Sequence, residues 1–128
     1  MKRGPILGSR RRTMVSLSRK RTPESAVLKA VLMALAMDRR VAWFARMNTG
    51  ALRTEERFIK FGSPGMPDVV GYLHGGRMLA VECKAKEGKL SALQREWLLR
   101  AQDAGCCVGV ARNAQDALDI VSGIKELE

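Results

Sequence analysis

Apolar positions along the chain follow two periods. Leu28, Val31, Leu32 and Leu35 recur at three- and four-residue spacing, which is the stripe of a helix with one buried face. The start of that helix is written at Thr22-Pro23-Glu24. Thr22 suits the N-cap, Pro23 suits the first helical position, and Glu24 suits the positive end of the helix dipole. The pattern runs to about Met37. Val41 to Met47 is rich in strand formers and stops at Asn48-Thr49-Gly50, which carry turn chemistry. A second strand is predicted over Arg57 to Phe61, followed by a loop from Gly62 to Pro67 whose glycines and prolines impose irregular backbone.

Asp68 to Leu73 and Arg77 to Ala85 then read as two strands of a hairpin that turns at His74-Gly75-Gly76. Ser91 and Gln94 fit a capping box, opening a helix whose apolar face is Leu90, Leu93, Trp97, Leu98 and Ala101. Gly105 ends it. Cys106 to Ala111 form a short buried strand, and Asn113 caps a last helix carrying Ala117, Leu118 and Val121. The order is roughly αβββαβα, with three or four strands between the first two helices. A mixed sheet flanked by helices, in the α/β class, is the packing that buries these faces.

Composition sharpens this picture. The 128 residues, 46% of them hydrophobic, fit one domain with a real core. The longest apolar run, Ala30 to Met37, falls far short of the roughly 20 residues a membrane span needs. The basic N-terminus lacks the apolar block of a secretory signal. A soluble protein of the cytoplasm, in a bacterial or phage-infected cell, is expected. The cysteines, Cys83, Cys106 and Cys107, are odd in number and lack zinc-ligand spacing, so they read as core filler. The net charge is +10, and eight of the 23 Lys and Arg lie in residues 1–21 with no acidic residue among them. Residues 22–128 keep 15 basic against 13 acidic side chains. The basicity therefore belongs to a tail over 1–21, expected to be flexible, and the domain to 22–128. A run of like charge finds its natural partner in a polyanion, nucleic acid first.

Candidate chemistry lies in Pro67-Asp68, a gap of thirteen residues, and Glu82-Cys83-Lys84. Strand side chains alternate, so Glu82 and Lys84 share a face and Cys83 takes the other. The hairpin brings Asp68, at the start of one strand, beside Glu82 near the end of the next. Two adjacent carboxylates repel unless a cation lies between them. Mg2+ suits the pair because it takes oxygen ligands and keeps waters for substrate phosphates. Lys84 on the same face can reach an attacking water or a scissile phosphate.

This arrangement resembles the PD-(D/E)XK nucleases. Glu24 on the first helix, Asn48-Thr49-Gly50, Gly65-Met66-Pro67-Asp68, Glu82-Cys83-Lys84 and Gln94, in that order, are similar to the VRR-NUC family over about residues 22–121. The resemblance implies a restriction-endonuclease-like core and phosphodiester hydrolysis with Mg2+ or Mn2+. It implies Asp68, Glu82 and the backbone carbonyl of Cys83 as metal ligands, Lys84 as catalytic lysine, and Glu24 and Gln94 as supporting polar residues. It further implies a stand-alone phage or bacterial type, a homodimer acting on branched DNA such as four-way (Holliday) junctions, with no small-molecule cofactor.

Each residue also has a plainer reading. Asp68 suits a turn after Pro67, and Glu82 with Lys84 an exposed strand edge. Yet Leu79, Val81 and Cys83 on one face, with Met78 and Ala80 on the other, make a strand buried on both sides, where charges need a reason. Glu24 satisfies the helix dipole but shares a face with Leu28, Val31 and Leu35. Gln94 completes a capping box yet shares a face with Leu90, Trp97 and Ala101. Both of its readings stand. Arg46, Arg53, Arg57, Lys60 and Lys86 are candidate phosphate contacts or solvated charge. His74 is an exposed turn residue, and the glycine clusters lack the ending of a phosphate-binding loop. The rivals to a junction endonuclease are a non-catalytic DNA-binding module of the same fold and a flap or nicking nuclease.

Overall fold

The computed structural model describes residues 22–47, 51–53, 58–60 and 64–127. The basic tail, the turn at 48–50, Arg57 and the segment 61–63 lie outside the described residues. Helix α1 spans Glu24–Ala36. Its N-cap is Pro23, not Thr22, one residue later than expected. Proline's fixed φ of −65° suits either position, but here ψ is extended at 154°, so Pro23 stands outside the helix. Its carbonyl accepts from the N–H groups of Ala26 at 3.0 Å and Val27 at 3.2 Å. Val27, Val31 and Leu35 form the buried stripe, with Leu28 and Leu32 packed at its margin.

Six strands and two further helices follow. They are β1 (Val41–Arg46), β2 (Ala51–Arg53), β3 (Phe58–Lys60), β4 (Val69–Leu73), β5 (Met78–Cys83), α2 (Ala92–Asp103), β6 (Cys107–Ala111) and α3 (Ala114–Ser122). Five strands thus precede α2, and β2 is one that the sequence pattern did not show. Strands β2 and β3 pair only with each other, antiparallel, so β3 does not enter the main sheet. The main sheet has the order β1-β4-β5-β6. Its first three strands are antiparallel neighbours, and β6 joins β5 in parallel. A parallel neighbour requires a crossover, which α2 supplies. No helix among the described residues is long and apolar enough to cross a membrane.

The ends of the elements are set by the expected chemistry. Gly75 and Gly76 take positive φ at the hairpin turn, and Gly76 N–H donates to Leu73 O at 2.9 Å. Gly105, also at positive φ, follows the C-cap of α2. The Asn113 side chain accepts from Asp116 N–H at 2.8 Å and caps α3.

Helices α1 and α3 pack on one face of the sheet and α2 on the other. The larger core joins Val27, Val31 and Leu35 of α1 to Leu79, Val81 and Cys83 of β5 and to Ala117, Ile120 and Val121 of α3. The smaller core joins Leu98 of α2 to Ala80 and Val108. Strand β5 is therefore covered on both faces, as its near-continuous apolar run demanded. The free cysteines behave as filler, Cys83 and Cys107 buried and Cys106 partly so. Outside the cover of α2, Trp43, Tyr72 and Met78 stand in cross-strand register on one face, all exposed. The Trp43 and Tyr72 rings stack with centroids 5.5 Å apart.

Strand β6 meets α3 closely because Gly109 has no side chain. A Cβ there would lie 2.7 Å from Ile120 Cγ1 and 2.8 Å from its Cδ1, inside van der Waals contact with a fully buried residue. We predict that Gly109→Ala destabilises the fold by about 1–3 kcal/mol through overpacking. The check is urea denaturation, where the midpoint should fall at constant slope. An unshifted midpoint would show that Ile120 has room to move.

Candidate active site

Asp68 is delivered by the loop that precedes β4. Gly65 holds φ at 81°, and any Cβ there would run into the Leu93 carbonyl at the start of α2. This loop is thus seated on the helix end, and buried Pro67 carries the chain into the sheet. Met47 N–H donates to Asp68 O at 2.7 Å, extending the β1–β4 ladder by one step. The β4–β5 register pairs Val69 with Val81, so the next pair outward is Asp68 with Glu82, as the hairpin reading expected.

Glu82 lies on the Ala80 face of β5, beneath the start of α2. Only 3% exposed, it is the sole charged residue buried among the described residues. Glu82 Oε1 accepts from Asp68 N–H at 3.2 Å. Asp68 Oδ2 accepts from Cys83 N–H at 2.8 Å. Each carboxylate is therefore held by the backbone of the partner strand. Glu82 Oε2 accepts from Gln94 Nε2 at 2.9 Å and lies 3.5 Å from Lys84 Nζ. Strand β5 ends at Cys83, two residues short of the expected limit. Lys84 N–H still donates to Ala111 O at 3.1 Å, which fixes the root of the lysine.

Gln94 fills both of the roles that the sequence left open. Its Oε1 accepts from Ser91 N–H at 2.9 Å, and its backbone N–H donates to Ser91 Oγ at 3.1 Å, completing the capping box. The amide nitrogen stays available for Glu82. A planar group with an acceptor at one corner and donors at the other can cap and position at once.

A family model described as the VRR-NUC domain matches residues 11–115. The chain belongs to the VRR-NUC family. Membership makes it a nuclease, a hydrolase whose substrate is DNA, and its mixed sheet flanked by helices fits that nuclease-like fold. No curated protein and no solved structure matches the chain. The matched span contains all four residues that converge here, Asp68, Glu82, Lys84 and Gln94.

The remaining candidates of this VRR-NUC chain lie outside that hydrogen-bonded set. Glu24 is exposed in the first turn of α1. Its charge, after burial and the charges of Asp68 and Glu82, helps push the Cys83 thiol up to about 12, so it lies near the same region, and none of its hydrogen bonds or ion pairs among the described residues reaches the four. That thiol stays protonated and inert. Lys86 is exposed in the turn after β5, and Arg46 is exposed at the end of β1. Arg53 ends β2, and Lys60 ends β3. Sequence reasoning missed Arg112, whose guanidinium bonds the backbone of the turn after Lys84. A single arginine after a strand carries no signal that separates it from surface charge.

Among the described residues no group of three or more His, Cys, Asp or Glu is placed to hold a metal. What converges is a pair of carboxylates. Burial first, and the Asp68 charge second, push the Glu82 carboxyl up from 4.5 to about 7, against the opposing effect of Lys84. In metal-free protein Glu82 keeps a proton that the unfolded chain releases between pH 4.5 and about 7. A native state that binds the extra proton loses stability as pH rises through that window. We predict that thermal midpoints measured in chelator decline from pH 4.5 to 7 in wild type and decline less in Glu82→Gln. Equal slopes in the two proteins would remove Glu82 as the titrating group.

Proposed function

We propose that this VRR-NUC protein is a Mg2+- or Mn2+-dependent endodeoxyribonuclease, selective for branched DNA such as four-way (Holliday) junctions, with its active centre at Asp68, Glu82, Lys84 and Gln94. The observation that carries this is the burial of Glu82 beside Asp68, with Lys84 Nζ and the Gln94 amide on the same carboxylate oxygen. Nothing in the packing requires a buried carboxylate there, since Ala80 and Val81 beside it show that the strand accepts apolar side chains.

The donor set fits a hard divalent cation. It consists of oxygen only, and the upward shift of Glu82 comes from burial first and the Asp68 charge second, both of which a cation would offset. Asp68, Glu82 and the Cys83 carbonyl would hold it. When bound, such an ion supplies Lewis-acid polarisation of the phosphodiester and activation of water. The chain's own groups do the rest. Lys84 presents an ammonium to charge that develops on the phosphate. Gln94 holds Glu82 in orientation through its Nε2, and Glu24 adds negative potential behind Cys83. Arg46, Arg53, Lys60 and Lys86 contact phosphates beyond the cut, and the basic tail adds affinity independent of sequence. A homodimer would set two such centres on two strands of a junction, and the uncovered Trp43, Tyr72 and Met78 are apolar surface a second copy would bury.

The test is cleavage of end-labelled four-way junction, flap and linear duplex by wild type and Lys84→Ala, with Mg2+, with Mn2+ and with chelator. We expect paired cuts in the junction that need the metal and that fall by about 10²–10³-fold in Lys84→Ala, with sedimentation showing a dimer. Binding without cutting under any metal would favour the non-catalytic module. A monomer that prefers flaps would favour the flap nuclease. Cutting unchanged in Lys84→Ala would remove the assignment of that residue.

A further inference from the structure

We propose that Arg112 is a positioning residue for Lys84, acting through the turn that follows β5. The proposal rests on the active centre proposed above. Arg112 comes directly after β6, one residue beyond the Ala111 carbonyl that accepts from Lys84 N–H. Its side chain reaches back across the strand pair. Nη1 donates to Ala85 O at 2.6 Å and to Gly88 O at 2.8 Å, with Lys86 O further off at 3.3 Å. A terminal guanidinium nitrogen carries two hydrogens, so the two short contacts are full bonds and the third is shared.

Those carbonyls belong to a tight turn, closed by Gly88 N–H donating to Ala85 O at 3.0 Å. The turn runs beside the lysine, with room for a methyl group between them. A Cβ at Gly88 would meet Lys84 Cδ at 3.4 Å and Lys84 Cβ at 3.5 Å. The connection runs through the backbone on both sides of the lysine: Ala85, whose carbonyl the guanidinium holds, follows Lys84 directly, and Ala111, whose carbonyl holds the Lys84 N–H, directly precedes Arg112. The anchor is itself fixed. Arg112 N–H donates to Asp116 Oδ2 at 2.9 Å, and Asp116 Oδ1 is paired with Lys125 Nζ at 2.7 Å. Fixing the backbone on both sides of Lys84 sets the direction in which a side chain with many rotamers leaves the strand.

Without the guanidinium the carbonyls turn to water, the turn loosens, and the root of Lys84 is free to shift. A displacement of about 1 Å in a reacting group costs on the order of 10²-fold in rate. The test uses the full chain with Arg112→Ala, Lys84→Ala and both together, in single-turnover cleavage at saturating protein. We expect Arg112→Ala to lower the rate by about 10- to 100-fold with junction affinity little changed. It should add nothing in the Lys84→Ala background. Millimolar guanidinium chloride, but not equimolar sodium chloride, should restore part of the rate. Full multiplication of the two losses, or an unchanged rate, would overturn the proposal. If Arg112→Ala does not fold, Arg112→Met takes its place in the same cycle, since it keeps an apolar stem but has no N–H for the two carbonyls. A readout free of catalysis separates this idea from the active-centre reading. Loss of dispersion in the Lys84 side-chain resonances of the Arg112 variant supports the proposal, and unchanged resonances overturn it, whether or not the wild type cuts DNA.

Discussion

Two carboxylates stand on paired positions at the end of a β-hairpin, and one of them is buried. Like charges at such a distance raise each other's free energy, and burial of Glu82 adds a desolvation cost. The surrounding structure makes the pair tolerable. The two strands trade backbone N–H groups, with Asp68 N–H on Glu82 and Cys83 N–H on Asp68. The exchange works only in this register, because a slip of one residue would turn Glu82 into the larger core. The apolar sequence Leu79, Val81, Cys83 enforces the register from the other face. Core packing and charge placement are thus the same constraint seen from two sides of one strand.

The crossover from β5 to β6 is equally bound to the site. A parallel pair needs a connecting segment, and this one supplies the Lys84 turn, the capping box and Gln94 before it returns as β6. Gly65 seats the Asp68 loop on the first turn of α2, at Leu93. One helix start therefore meets both carboxylates, Asp68 through its loop and Glu82 through the Gln94 amide. Shifting α2 along its axis would disturb the loop and the amide together.

Much of this was legible in the residues. Alternation across Met78 to Cys83 placed Glu82 opposite the core face, and the glycine turn fixed which positions meet. Ser91 and Gln94 marked a helix start by spacing alone. Other features left no such trace. Strand β2 has three residues, too few for a period to show, and the β2–β3 pair forms its own sheet. Pro23 moved the start of α1 by one residue because its φ suits both positions. The strand order and the parallel β5–β6 pair arise from packing between distant segments. Arg112 was invisible because its partners are backbone carbonyls, which every sequence has. Gln94 looked like a choice between two roles because residue spacing counts side chains, whereas an amide has two ends.

The charge balance at the site explains why the ammonium alone does not complete it. Asp68 and Glu82 together carry two negative charges, and Lys84 returns one. Burial first and the Asp68 charge second raise Glu82 to about 7, so below that pH a proton makes up part of the difference. A phosphodiester would bring one more negative charge to a place where charge is poorly screened. A proton can neutralise one carboxylate and leaves the charge of the other, and of a bound phosphate, unanswered. The divalent cation proposed above would be held by both carboxylates and would displace the proton, since its ligands must be deprotonated. On this reading the raised Glu82 marks a pair arranged for a charge that the chain itself does not contain. Buried carboxylates set only for stability would be paired to neutrality within the fold. Asp116, only partly buried, receives Lys125 and the Arg112 N–H and is held below the usual carboxylate range, so it shows a carboxylate whose charge is answered within the fold.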